Sequence, residues 1–232
     1  MSRAQTLRRA PLNRDRVLRA AVALADDAGI EALSMRHLAQ ELGVVPMALY
    51  KHVANKEELL DGMVDVIVGE IDPPTHADWK DAIRQRILSA RQALLGHRWA
   101  SQVIESRTQA TPAVLDYMDS LMGIFRAGGF SVDLTHHVMH ALGSRMWGLT
   151  RDVFPTPTPP ADPAAREAMF RQFAARYPHI IEMATAGSAG AGCDEGFEFE
   201  FTLDVLLDGF ERLHRQGWRS TEVSRPNASG AG

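Results

Sequence analysis

The sequence predicts an all-α fold, a small helix-turn-helix unit followed by a larger helical body. Three observations carry this. Apolar residues recur at helical spacing along most of the chain. No period-2 run of polar and apolar residues is read as a strand. The charge is also divided. Residues 1–56 hold nine Lys and Arg against five Asp and Glu, whereas residues 57–232 hold 16 against 24. A small basic module on an acidic body is the charge layout of a nucleic-acid-facing unit carried by a second domain.

The composition agrees with a stable globular chain. Of 232 residues, 45% are hydrophobic and 23% charged, enough to bury a core without staples. The lone cysteine, Cys193, excludes an internal disulfide and a cysteine-rich zinc site, and it suits a reducing, cytoplasmic compartment. The basic start is followed by no apolar run of signal-peptide length. No stretch approaches the roughly 18 apolar residues needed to cross a bilayer, so no membrane partner is expected.

The elements follow in order. Residues 1–12, with Arg3, Arg8 and Arg9, read as a flexible basic tail that adds only nonspecific affinity. From Asn13, a fair N-cap, Val17, Ala21, Leu24 and Ala28 share one helical face, and Gly29 suits the helix end. Ser34 caps a short second helix to about Glu41, Gly43 marks a tight turn, and a third helix runs to about His52. Asn55 caps a fourth, with Leu59, Leu60, Met63, Val64 and Ile67 facing inward. Asp72-Pro73-Pro74 ends it and closes a domain at 13–72. Further helices are predicted over 77–96, 100–107, 111–127, 131–152, 163–176 and 193–216, within a body spanning 73–218. "FPTPTPPADP" (Phe154 to Pro163) is an extended link, and residues 219–232 read as a second flexible tail.

The stretch Leu38 to Leu60 meets the steric demands of a helix-turn-helix. Ala39 is small enough for close approach, Gly43 tolerates positive φ, and Leu38, Leu42, Val44, Leu49 and Val53 supply the apolar contacts. In such a unit the second helix enters the major groove of DNA by its first turn. Here that turn is Pro46-Met47-Ala48, which offers no hydrogen bond to a base edge. Pro46 is sound there, because its missing N–H is not needed in a first turn.

"LSMRHLAQELGVVPMALYKHVANKEELLD" (Leu33 to Asp61) resembles the DNA-binding domain of the TetR family of bacterial transcription regulators. Its most recognisable words are Leu49-Tyr50-x-His52 and Asn55-Lys56-x-x-Leu59-Leu60. "FEFEFTLDVLLDGFERL" (Phe197 to Leu213) and "RYPHIIEMA" (Arg176 to Ala184) resemble the tetracycline-repressor-like C-terminal domain, so the likeness covers roughly 200 residues.

The resemblance implies an all-helical homodimer on double-stranded DNA. A fourth helix joins each three-helix reading head to an effector-binding and dimerisation body, and the two recognition helices reach grooves about 34–36 Å apart. It further implies repression from a palindromic operator, with release by a small molecule. Position by position, Arg36 matches a base- or phosphate-contacting site and Met47 and Ala48 match base-facing sites. Tyr50, Lys51 and His52 match phosphate contacts, and Lys56 a backbone-contacting lysine. Chemistry agrees for Lys51, Lys56 and the Tyr50 hydroxyl, which can hold phosphates. Met47 and Ala48 can meet a thymine methyl but form no bidentate pair, so base reading leans on Arg36 and on DNA shape.

In the body, Met118, Met122, Phe125, Met139, Met146, Trp147, Met169, Phe170 and Phe173 form a soft, aromatic set that suits an adaptable pocket for a hydrophobic effector. Each taken singly reads first as ordinary core. Trp99 either lines a pocket entrance or closes a helix turn. His136 and His140, four apart, share a helical face; they read as pocket-lining, surface or interface residues ahead of a metal pair. By resemblance, segments 131–152 and 193–216 form the dimer surface. Leu203, Leu206, Leu207, Phe210 and Leu213 make a wide apolar face for it, which could equally be buried inside one subunit.

Two other readings are weighed. A metal-dependent enzyme on a helical scaffold would use His136 and His140. Against it, the chain has no Gly-rich phosphate loop, nucleophile elbow or Cys-His pairing, and no cofactor or metal is expected. A helix-turn-helix activator, or a regulator that acts through a protein partner, would have no effector pocket.

Overall fold

A computed structural model of the chain describes residues 11–143, 161–179, 182 and 194–222. Among these residues the regular structure is helical, and the chain divides into two compact units at Phe130 and Ser131.

The first unit begins with α1 (Arg14–Ala28), α2 (Met35–Leu42), α3 (Pro46–Leu49) and α4 (Lys56–Val68). Their starts are fixed by the capping chemistry that the sequence advertises. The Asn13 carboxamide oxygen accepts from Arg16 N at 2.8 Å, the Ser34 hydroxyl from His37 N at 3.1 Å, and the Asn55 carboxamide from Glu58 N at 2.8 Å. Glu58 answers by accepting from Ala54 N at 2.7 Å, a reciprocal cap at the start of α4. Gly43, at φ 66°, makes the left-handed turn between α2 and α3.

Two details differ from expectation. Ala28 is exposed, although Leu24 and Ala25 just before it are buried. The third helix is shorter than predicted. It is a single regular turn, after which the chain bends through Tyr50 to His52, although Val53 N still bonds to Leu49 O at 3.0 Å.

Val17, Leu38, Leu49, Val53, Leu59 and Met63 are at most 1% exposed and close the core of the head. That core does not stop at Asp72. It continues into Ala93 at the end of α5 (Trp79–Gly96) and into Trp99, Ala100 and Val103 around α6 (Ala100–Ser106). The unit ends with α7 (Pro112–Ala127), which packs on α4 and α5. There Trp79 meets Phe125 and Phe130, with ring centroids 5.7 and 4.6 Å away.

The second unit holds α8 (Val132–Ala141), α9 (Pro163–Arg176) and α10 (Glu195–Arg215). The helix expected over 131–152 is described as far as residue 143, and the rest of it lies outside the described residues, as does most of "RYPHIIEMA" after residue 179. Leu134, Val138 and Leu142 are buried on the α8 side, and Phe199, Leu203, Leu207 and Phe210 on the α10 side. Order runs past the predicted start of the C-terminal tail at 219. Ser220–Glu222 form a 3₁₀ turn, held because the Asp133 carboxylate accepts from Ser220 N and from its hydroxyl, both at 2.7 Å. Those bonds also keep the Asp133 carboxyl below its ordinary pKa.

Candidate functional site

α3 and its flanks form an exposed platform on a closed core. Leu49 and Val53 point inward and fix the turn, while Val45 and Met47 are 68% and 71% exposed. Arg36, Tyr50, Lys51 and Lys56 are exposed, and Ala48 and His52 are half-buried. The seven residues expected to face DNA are therefore carried on one contiguous head, on α2, on α3 with the turn that follows it, and at the start of α4. Among the described residues no carboxylate pairs with Arg36, Lys51 or Lys56, so their charge is open to an anion. Lys56 is also the first residue of α4, where free backbone N–H groups favour a phosphate.

The residues expected to bind an effector are divided between the two compact units, with Trp99, Met118, Met122 and Phe125 in the first and His136, His140, Phe170 and Phe173 in the second. Phe125 is fully buried between Trp79 and Phe130 and is core. The Trp99 indole N–H donates to Asp26 Oδ1 at 2.6 Å, and its ring is 5% exposed within the core of the head, so it braces α1 and lines neither cavity described below. Met118 is exposed and Met122 half-buried on α7. His136 and His140 are exposed on α8 with ring centroids 4.6 Å apart, and no group of three metal-ligating side chains occurs among the described residues. Phe170 and Phe173 are exposed on α9, and Trp147 lies outside the described residues.

Two cavities in the first unit flank the link from α4 to α5. One, of about 590 Å³, is lined by Asp72, His76, Asp81, Arg84, Gln85, Leu88, Ser89 and Gln92. The other, of about 360 Å³, lies between that link and Trp79, Ile124 and Gly128. Neither is lined by a residue expected from the sequence.

Beside them sits a polar pair that the sequence reading missed. Arg86 is 7% exposed, donates from Nη1 to the carbonyl oxygens of Asp72 at 2.5 Å and Ile71 at 3.4 Å, and lies 4.8 Å over the Tyr117 ring. Its Nε is buried with no hydrogen-bond partner among the described residues. Burial pushes the Tyr117 hydroxyl up to about 12, against the pull of the Arg86 charge. One signal could have found it: Arg86 stands on the α5 face otherwise made by Ala82, Ile83 and Ile87.

The α10 face weighed as a dimer surface or as core inside one subunit packs mostly inward in the single chain. Leu203, Leu207 and Phe210 are buried within the chain itself, and Leu206 and Leu213 are half-buried. α10 is apolar on more than one side, and that set packs inward. The apolar stripe left outside is Phe197, Phe201 and Val205, between 54% and 64% exposed and each four residues from the next.

Residues 17–63 match "Bacterial regulatory proteins, tetR family", and residues 72–214 match "Tetracyclin repressor-like, C-terminal domain". The chain belongs to the TetR family. TetR-family proteins are transcription regulators that bind DNA, and they are not enzymes.

This TetR-family chain is 30% identical over 218 residues to the transcriptional repressor DrrR1 of Streptomyces coeruleorubidus, covering 88% of the chain and 79% of that protein. It is 35% identical over 121 residues to an HTH-type transcriptional regulator of Saccharopolyspora erythraea, and there the match spans about half of each protein, 51%. Among solved structures it resembles the TetR family protein ActR of Streptomyces coelicolor in complex with actinorhodin. The TM-score is 0.66 at 26% identity, over 88% of this chain and 98% of ActR. Among the described residues, no helix of this TetR-family member is long and apolar enough to cross a membrane.

Proposed function

We propose that this chain is a homodimeric repressor that binds a palindromic operator and is released by a small hydrophobic molecule. The observation that carries the reading is the α3 platform. Arg36, Lys51 and Lys56 are exposed and, among the described residues, pair with no carboxylate around a turn whose inner side chains are fully buried. Such a rigid, locally cationic surface grips phosphates while offering the groove only a few side chains. Tyr50, His52 and Lys51 hold the backbone on one side and Lys56 on the other. Arg36 supplies the hydrogen bond to a base, and Met47 and Ala48 meet thymine methyls. Reading is assigned to the head at 13–72, and effector binding and dimerisation to 73–218.

The effector site is proposed beside Arg86 and Tyr117, at the cavities next to the α4–α5 link, where a buried cation can fix the polar end of an otherwise apolar molecule. The outward stripe of Phe197, Phe201 and Val205 serves the dimer. Selection of bound sequences from random DNA tests the reading, repeated with actinorhodin, the compound bound by ActR. A two-fold symmetric site is expected, with half-sites one helical turn apart. Failure to enrich any such site at moderate salt would overturn the proposal.

A further inference from the structure

α6 is fastened at both ends. Just before its N-terminus, His97 Nδ1 lies 2.8 and 3.0 Å from the two carboxylate oxygens of Asp26, and its Nε2 lies 3.0 Å from Glu70 Oε2. Asp26 belongs to the last turn of α1, and Glu70 follows the end of α4. The Trp99 indole donates to the same Asp26. Just after the C-terminus of α6, Arg107 gives Nη1 to Asp61 at 3.1 Å and Nη2 to Glu57 at 2.6 Å, both on α4. The seven-residue helix is thus pinned to both ends of α4 and to the end of α1.

The two fastenings differ in one chemical respect. Carboxylates only accept hydrogen bonds, and a neutral imidazole has a single N–H. Short contacts from both ring nitrogens to carboxylates are therefore satisfied together only by the imidazolium. The guanidinium of Arg107, by contrast, keeps its charge at any accessible pH. The His97 side chain is 13% exposed, which withholds water as a substitute partner. The groups that face it are Asp26 from α1, Glu70 from the end of α4 and the uncharged Trp99 from its own segment. Burial opposes the ring's charge, but the bonds to Asp26 and Glu70 and their negative charges outweigh it, and the His97 pKa lies above its ordinary 6.5.

We infer that the Asp26–His97–Glu70 bridge is a proton-dependent latch that positions α1 and α4 under the DNA-facing turn, so that DNA affinity falls as the ring loses its proton. Below the ordinary histidine pKa the latch is fully closed. It opens as pH rises through the raised folded-state value, when the neutral ring can keep only one of its two carboxylate bonds, while the Trp99 and Arg107 bonds persist. His97, Asp26 and Glu70 are positioning residues, and none belongs to the DNA-facing set. The inference rests on the DNA-binding reading.

The test uses the full chain and the DNA site enriched by selection, with affinity measured from about pH 6 to about pH 8.5 at constant ionic strength. The wild type is compared with His97→Gln and the isosteric Glu70→Gln, so that pH effects common to all three proteins cancel. The wild type should lose roughly fivefold more affinity across the range than His97→Gln, and Glu70→Gln should move the midpoint to lower pH. In parallel, the ring resonances of His97, assigned by their absence in His97→Gln, should titrate above the ordinary value and drop in Glu70→Gln.

Coincident affinity profiles for all three proteins would overturn the latch while leaving DNA binding intact. A His97 midpoint at or below the ordinary value would also overturn it. Enrichment of no DNA site would remove the DNA-binding reading, and the latch's function with it.

Discussion

At the scale of residues, the proposed interface divides side chains assigned to phosphates from those assigned to bases, Arg36 by a hydrogen bond and Met47 and Ala48 by apolar contact. Lys56 is an exposed cation at a helix start, where any phosphate is equivalent to any other. Lys56→Ala should weaken binding to all sequences alike and lower the slope of log affinity against log salt by about one. Arg36 is the strongest candidate for a bidentate bond to a base, worth about 1–3 kcal/mol of discrimination. Arg36→Ala should flatten sequence preference at one position of each half-site while retaining most nonspecific affinity. Selection repeated with both variants checks this, and an unchanged preference in Arg36→Ala would disprove its role. These residues are legible in the sequence because they lie within about twenty positions of one another in a recognisable run. The partners of His97 are not legible, since Asp26 and Glu70 stand 71 and 27 residues away and no local periodicity ties them together.

At the scale of elements, most helices are legible because they announce their own ends. Asn13, Ser34, Asn55, Thr111, Ser131, Asp162 and Asp194 each accept a backbone N–H at a helix start, and each is a residue type that prefers that place. The facing of α10 is less legible. Leu203, Leu206, Leu207, Phe210 and Leu213 mark one apolar face, but Phe197, Phe201 and Val205 add a second stripe among the polar residues, and only packing decides which of the two turns inward. Glycines within an element show the same dependence on packing. On Gly128, at the end of α7, a Cβ would stand 2.8 Å from Trp79 Cγ and 2.9 Å from Trp79 Cβ. Those atoms are the root of a ring wedged against Phe125 and Phe130 and cannot swing away. Gly128→Ala should therefore destabilise the chain by about 1–3 kcal/mol. Gly123, one turn earlier in the same helix, has nothing within 4 Å of such a Cβ, and Gly123→Ala should stabilise by about 0.5–1 kcal/mol through helix propensity. Denaturant unfolding of the two variants should give shifts of opposite sign.

At the scale of the whole molecule, the proposed operator demands two heads. A head with one regular turn at its tip makes too few contacts to specify a site alone, so affinity should follow dimerisation. α10 offers a clean way to separate folding from association, because the proposed dimer gives its two apolar faces different tasks. Leu203 is fully buried, and Leu203→Ala should cost about 2–5 kcal/mol of folding stability. Phe201 is 57% exposed in the single chain, so its removal takes little from the chain's own core. Phe201→Asp should leave the helical circular dichroism and the unfolding midpoint of the isolated chain nearly unchanged. It should nonetheless shift the sedimentation profile from dimer to monomer, because an unpaired carboxylate buried in an apolar interface is costly. Operator affinity should then become strongly dependent on protein concentration and fall by at least tenfold, while binding to an isolated half-site is unaffected. A Phe201→Asp protein that sediments as a dimer would place the interface elsewhere, and a variant that unfolds would show that Phe201 supports the chain and not its partner.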